Sequence, residues 1–214
     1  MKVKKFNLGN GDEVELVESV NQVYIRDAEC GCTITSNNHF GYIQTCYSSL
    51  ISDHDIDNLR PCLIHLGVGF GYDLLYVDNL LQKCGSDYRL VGVDLMDYGD
   101  LRVPLERFDC HVEFHSMDVM KYLESVSPPD FKDDLTPDRA VVVLVDLFLK
   151  GLSPIDLVYD ESLWLAILKH IDPDHVVVNR CGGPDTFPIA SRTLGPLDYK
   201  KTWSLEFYHR KKND

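Results

Sequence analysis

The stretch Cys62-Leu63-Ile64-His65-Leu66-Gly67-Val68-Gly69-Phe70-Gly71-Tyr72-Asp73-Leu74-Leu75 decides the fold. An apolar run leads straight into three glycines at alternate positions, and a helical pattern follows over 72–83. A near-continuous apolar run reads as a strand of a parallel sheet, buried on both faces. Glycines at such a junction let the backbone turn sharply and approach a ligand without Cβ collision. The helix start behind them offers N–H groups and the positive end of the helix dipole. The spacing Gly-x-Gly-x-Gly differs from the Gly-x-Gly-x-x-Gly dinucleotide fingerprint, so alone it is equally a tight strand-to-helix turn.

Outward from this stretch, apolar runs recur at 90–93, 140–145 and 175–178, with a weaker one at 110–114. Helical patterns lie at 119–124 and 161–170. Strands alternating with helices predict an α/β domain with right-handed crossovers. Residues 203–208 alternate in polarity and predict a last, antiparallel strand. Segments 127–139 and 181–188 read as loops. Ahead of residue 60 the rhythm changes. Residues 13–17, 20–25 and 33–35 alternate with period two, as half-buried strands do, with turns at Asn10-Gly11-Asp12 and Cys30-Gly31-Cys32. Residues 40–51 are mixed, with Tyr42, Cys46, Tyr47, Leu50 and Ile51 on one helical face. The chain thus divides into a small N-terminal β region, 1–58, and an α/β domain, 59–214.

The runs after the glycines end in acids. Asp94 closes the second run, 23 positions beyond Gly71, close to the ~20 expected of a ribose-binding acid. Its carboxylate offers two acceptor oxygens to a pair of hydroxyls. Asp118 follows the third run, where it either accepts from an adenine amino group or caps the next helix. Asp146 closes the fourth. Ligands of an open α/β sheet bind outside the carboxyl ends of its strands, so these acids face one crevice.

These residues resemble the class I S-adenosylmethionine (SAM)-dependent methyltransferase fold over about 61–208. The resemblance implies a Rossmann-like seven-stranded sheet. It also implies SAM as cofactor, with Gly67, Gly69 and Gly71 approaching its methionine and ribose part. Asp94 then binds ribose, and Asp118 lies by adenine. Within that group the chain is similar to the spermidine-synthase-like branch, which has a small N-terminal β region and a Tyr about twenty residues before the glycine loop, matched by Tyr47. That branch ends its fourth strand in Asp-x-x-Asp. The first acid matches Asp146, but Leu149 stands at the second, and Phe70 replaces the loop acid common there. The Gln common in the branch has Asn38 or Gln44 as its nearest counterpart.

Methyl transfer to a small-molecule or protein acceptor is therefore the first expectation. Asp146 is expected to accept the acceptor's proton, and Tyr42 and Tyr47 to orient substrate or pack against the main domain. Aminopropyl transfer from decarboxylated SAM is the alternative. A non-catalytic binding or assembly relative of the fold is the third. His65 reads as a packed core residue. No spacing of His and Cys matches a metal-ligand set.

Composition bounds the rest. The chain has 214 residues, 44% hydrophobic and 26% charged, which suits a globular domain with a real core. No apolar run nears the ~18 residues of a membrane span, and no apolar segment follows the basic residues 2–5, so no secretory signal is expected. Seven scattered cysteines, an odd number, fit reduced thiols and a cytoplasmic location. The 21 Lys and Arg against 34 Asp and Glu leave a net charge of −13, which disfavours nucleic acid. An exposed edge in 13–35 would need covering, and a homodimer is one way to do so.

Overall fold

The computed structural model describes residues 1–7, 13–31, 33–37, 60–84, 87–132, 139–147, 156–179, 188–194, 198–201 and 205–209. Two sheets organise them. The first is an antiparallel meander of β1 (Lys2–Asn7), β2 (Glu13–Glu18), β3 (Val23–Asp27) and β4 (Thr33–Ser36), in that order. The sequence KVKKFN of β1 hides its strand character, because the strand is exposed along nearly its whole length. Lysines on such an edge oppose pairing with another chain.

The second sheet has seven strands: β5 (Cys62–Leu66), β6 (Arg89–Asp94), β7 (His111–Ser116), β8 (Val141–Val145), β9 (His175–Asn179), β10 (Asp198–Lys201) and β11 (Leu205–His209). Their order is β10-β11-β9-β8-β5-β6-β7. The five strands from β9 to β7 run parallel, and β11 joins β9 antiparallel, as the alternation of the last segment predicts. The seventh strand, β10, carries no apolar run (DYKK) and pairs with β11 at the sheet edge, so apolar runs do not reveal it. Strand order reverses at β5, whose neighbours are β6 and β8. The ligand crevice of such an open sheet lies at this switch point, beyond the carboxyl ends.

Alternation along β5 divides the core. Cys62, Ile64 and Leu66 face α2 (Val119–Ser125) and α3 (Glu161–His170), packing with Leu123, Trp164 and Ile167. Leu63 faces the opposite side, under Leu74, Val77 and Leu81 of α1 (Tyr72–Cys84). Trp164 is fully buried, and its indole N–H donates to the Val158 carbonyl at 3.0 Å, so the polar end of the ring is not stranded. A short helix, α4 (Pro188–Thr193), adds Ala190 to the same side as Trp164. No helix among the described residues is long and apolar enough to cross a membrane.

The two sheets meet at the glycine loop. Val14, Leu16 and Ile25 of the meander bury against Phe70 and Tyr98, with Tyr72 and Met96 alongside. The Phe70 and Tyr98 rings meet edge to face, with centroids 5.2 Å apart. The expected boundary at 58/59 and the segment bearing Tyr42 and Tyr47 lie outside the described residues.

Candidate functional site

The turn after β5 takes its shape from three glycines in the left-handed region: Gly67 at φ 88°, Gly69 at φ 55° and Gly71 at φ 87°. A Cβ at Gly67 would lie 2.1 Å from the carbonyl oxygen of Asp146, because the β8 backbone runs against it. A Cβ at Gly71 would touch the Phe114 ring at 3.0 Å. These two glycines answer to close packing as well as to backbone conformation.

Asp94 closes β6 and turns back onto the loop. Its Oδ2 accepts the Gly69 N–H at 2.8 Å, and its Oδ1 accepts the Met96 N–H at 3.0 Å. The residue is half-buried. Burial pushes this carboxyl above the usual range. The two N–H donors, Arg102 and His65 pull in the opposite direction. The neighbouring Tyr98 phenol is also pushed up, first by burial and then by the Asp94 charge.

Asp146 follows β8, directly beside the loop. Its backbone N–H donates to the Leu66 carbonyl at 2.8 Å, tying it to the end of β5. Its Oδ1 accepts from the Asn179 side-chain amide at 2.8 Å, and its Oδ2 lies 3.7 Å from His65 Nε2. His65 is fully buried, and neither ring nitrogen has a hydrogen-bond partner among the described residues. Gly67, Asp94, Asp146, His65 and Asn179 therefore gather at the carboxyl edge around the switch point.

Asp118 sits at the same edge as the N-cap of α2, its Oδ1 accepting the Lys121 N–H at 3.1 Å. The capping role is the one its contacts display. Leu149, Asn38 and Gln44 lie outside the described residues, as do both candidate tyrosines. Among the described residues no group of His, Cys, Asp and Glu is arranged to hold a metal ion.

The sequence alone reads His65 as a packed residue and assigns Asn179 no role. The available signal was a single polar residue inside the otherwise apolar 62–66 run, and an amide at the end of 175–179. Only the strand order places both beside Asp146.

No family model matches this sequence, and no curated protein sequence does. Solved structures do match. One is cmcI in a Mg-SAM form, with TM-score 0.53 and 16% identity, over 78% of this chain and 71% of that one. Another is CalS11, a TDP-rhamnose 3'-O-methyltransferase of calicheamicin biosynthesis, with TM-score 0.51 and 14% identity, over 77% of this chain and 78% of that one. A third is MNMC2 from Aquifex aeolicus, with TM-score 0.52 and 14% identity, over 98% of this chain and 70% of that one. The third likeness takes in the N-terminal meander as well as the main sheet. With the glycine turn, the acid-terminated strands and the order reversing at β5, these likenesses identify the fold of this chain as that of the class I SAM-dependent methyltransferases.

Proposed function

We propose that this protein binds S-adenosylmethionine and transfers its methyl group to a small-molecule or protein acceptor. One contact carries the reading: the Asp94 carboxylate accepts the Gly69 N–H, so acid and glycine loop form one wall of the crevice. The donor chemistry of that wall fits the cofactor. An ionised carboxylate has about four acceptor sites, and Gly69 and Met96 use two of them. The remaining sites suit the two ribose hydroxyls, while Gly67 and Gly69 bring backbone close to the ligand.

When bound, the cofactor supplies an electrophilic methyl group on a sulfonium. The chain's own residues align and accept. Asp146, fixed through Asn179 and through its backbone bond to Leu66, stands at the switch point as the proton acceptor for the incoming nucleophile. The walls around Asp94 exclude water, through Phe70, Tyr98 and the meander behind them. A net charge of −13 favours an acceptor that is not a polyanion.

Calorimetric titration with SAM, S-adenosylhomocysteine (SAH) and decarboxylated SAM tests this reading. Micromolar binding of the first two, lost in Asp94→Ala, is the expected result. Preference for decarboxylated SAM would replace methyl with aminopropyl transfer. Failure of all three to bind would overturn the cofactor reading.

A further inference from the structure

We infer that His65 is a positioning residue for Asp146, holding the carboxylate toward the sulfonium of bound SAM; this rests on the cofactor reading above.

On the side toward α1, the surroundings of His65 are apolar. It shares its face of β5 with Leu63, and α1 covers that face with Leu74, Val77 and Leu81. An apolar residue would pack there without cost, whereas a buried imidazole with no partner is unfavourable. Packing therefore does not account for the residue. Asp146 does. Its Oδ2 lies 3.7 Å from Nε2, just beyond hydrogen-bond reach. Catalytic hydrogen bonds often lie this long before ligand binds and tighten afterwards. Asn179 already fixes Oδ1 at 2.8 Å, so a small rotation of the carboxylate brings Oδ2 onto the ring. The three residues then form a chain across β5, the end of β8 and β9.

Among the described residues, few charged groups face His65. From the end of β8 there is Asp146, its one ion-pair partner among the described residues. From the end of β6 there is Asp94, with Arg102 and Tyr98 behind it. On α1, Asp73 lies in the first turn and the buried Asp78 turns to the Tyr88 hydroxyl at 2.8 Å and the Asp109 N–H at 3.2 Å.

SAM carries a positive sulfonium and SAH a neutral thioether, so the ratio of their affinities reads the charge at Asp146. Both ligands have the same ribose, so any titration of Asp94 cancels in that ratio. The experiment measures Kd for SAM and for SAH by calorimetry at one neutral pH. It uses the full chain with its native sequence and the variants Asp146→Asn, His65→Leu and His65→Gln, with thermal midpoints recorded to confirm folding. Asp146→Asn should lower the preference for SAM over SAH by about tenfold, the scale of a hydrogen bond to a charged group. His65→Leu removes the ring nitrogens and should lower that preference in the same direction, whereas His65→Gln, which can still donate to Oδ2, should restore most of it. A native preference in His65→Leu, or a loss in His65→Gln equal to that in His65→Leu, would overturn the inference while leaving the cofactor reading intact. Binding of neither ligand to the native protein would overturn both.

Discussion

Replacing Gly67 with Ala tests how tightly the switch point is built. The new Cβ would sit 2.1 Å from the Asp146 carbonyl oxygen and 2.7 Å from its carbon. Contacts under 3.0 Å essentially never occur, so β5 and the residue after β8 must part by about 0.9 Å, the difference between 3.0 and 2.1 Å. The Asp146 N–H to Leu66 carbonyl bond, now 2.8 Å, joins the same two segments and is strained by that parting. Holding a non-glycine residue at φ 88° costs a further ~1–2 kcal/mol. With the overpacking, the total is about 2–5 kcal/mol, and a chain of this size loses roughly 5–15 °C in thermal midpoint. Gly31→Ala is the control. Its φ is 69°, but no described residue lies within 4 Å of the added Cβ, so the conformational cost is what applies, roughly 1–2 kcal/mol. Differential scanning calorimetry of the two variants decides the matter. Equal losses at Gly67 and Gly31 would refute the claim that the Asp146 backbone closes on the loop. Binding supplies a second reading: if Asp146 is displaced with its carbonyl, Gly67→Ala should also weaken SAM by more than it weakens SAH.

Three further outcomes are expected. Because burial raises the Asp94 carboxyl above its ordinary 3.8, the folded state binds that proton more readily than the unfolded chain. Its contribution to stability is therefore fully present below the unfolded value and is lost as pH rises through the folded one, whereas SAM affinity should move the other way. Thermal midpoints and Kd values of native protein and Asp94→Asn, compared from about pH 4 to about pH 7, should diverge in those opposite senses, and parallel curves would contradict the shift. Phe70→Ala removes a ring that is 1% exposed and should cost about 3–5 kcal/mol. Hydrogen exchange should quicken in β2 and β3 before it does in β8 and β9. Asp118→Ser keeps a side-chain cap and Asp118→Ala does not; the second should cost about 1 kcal/mol more by denaturant unfolding. If both bind SAH as the native chain does, Asp118 serves the helix alone.

Much of this arrangement was legible beforehand because the parallel strands carry their own signal. The run CLIHL became β5 with all five residues buried, and VVVLV likewise became β8. Helix α3 occupies 161–170, where Asp160 caps it by accepting the Ser162 N–H. Edges were less legible. Strands β1 and β10 are rich in Lys and lack an apolar face in sequence, since one side or one flank of an edge strand has little to bury. In the candidate site, the acids could be found because strand ends are predictable. The His65–Asp146 approach could not, because it depends on β5 and β8 being neighbours although 74 residues, 67–140, stand between the end of one and the start of the other. Periodicity carries no information about that adjacency.

One side chain has a consequence for how this chain can be divided. Phe70 sits within the glycine turn of the main sheet, yet its ring belongs to the apolar cluster beneath Val14, Leu16 and Ile25. The two sheets are separate in their ladders but share this residue, so they are not interchangeable modules. Exchanging the meander for that of a distant relative would change the wall against which the loop is set, even with every residue from 60 onward retained. Recombination between such proteins would therefore succeed only where the incoming meander offers a matching socket for position 70.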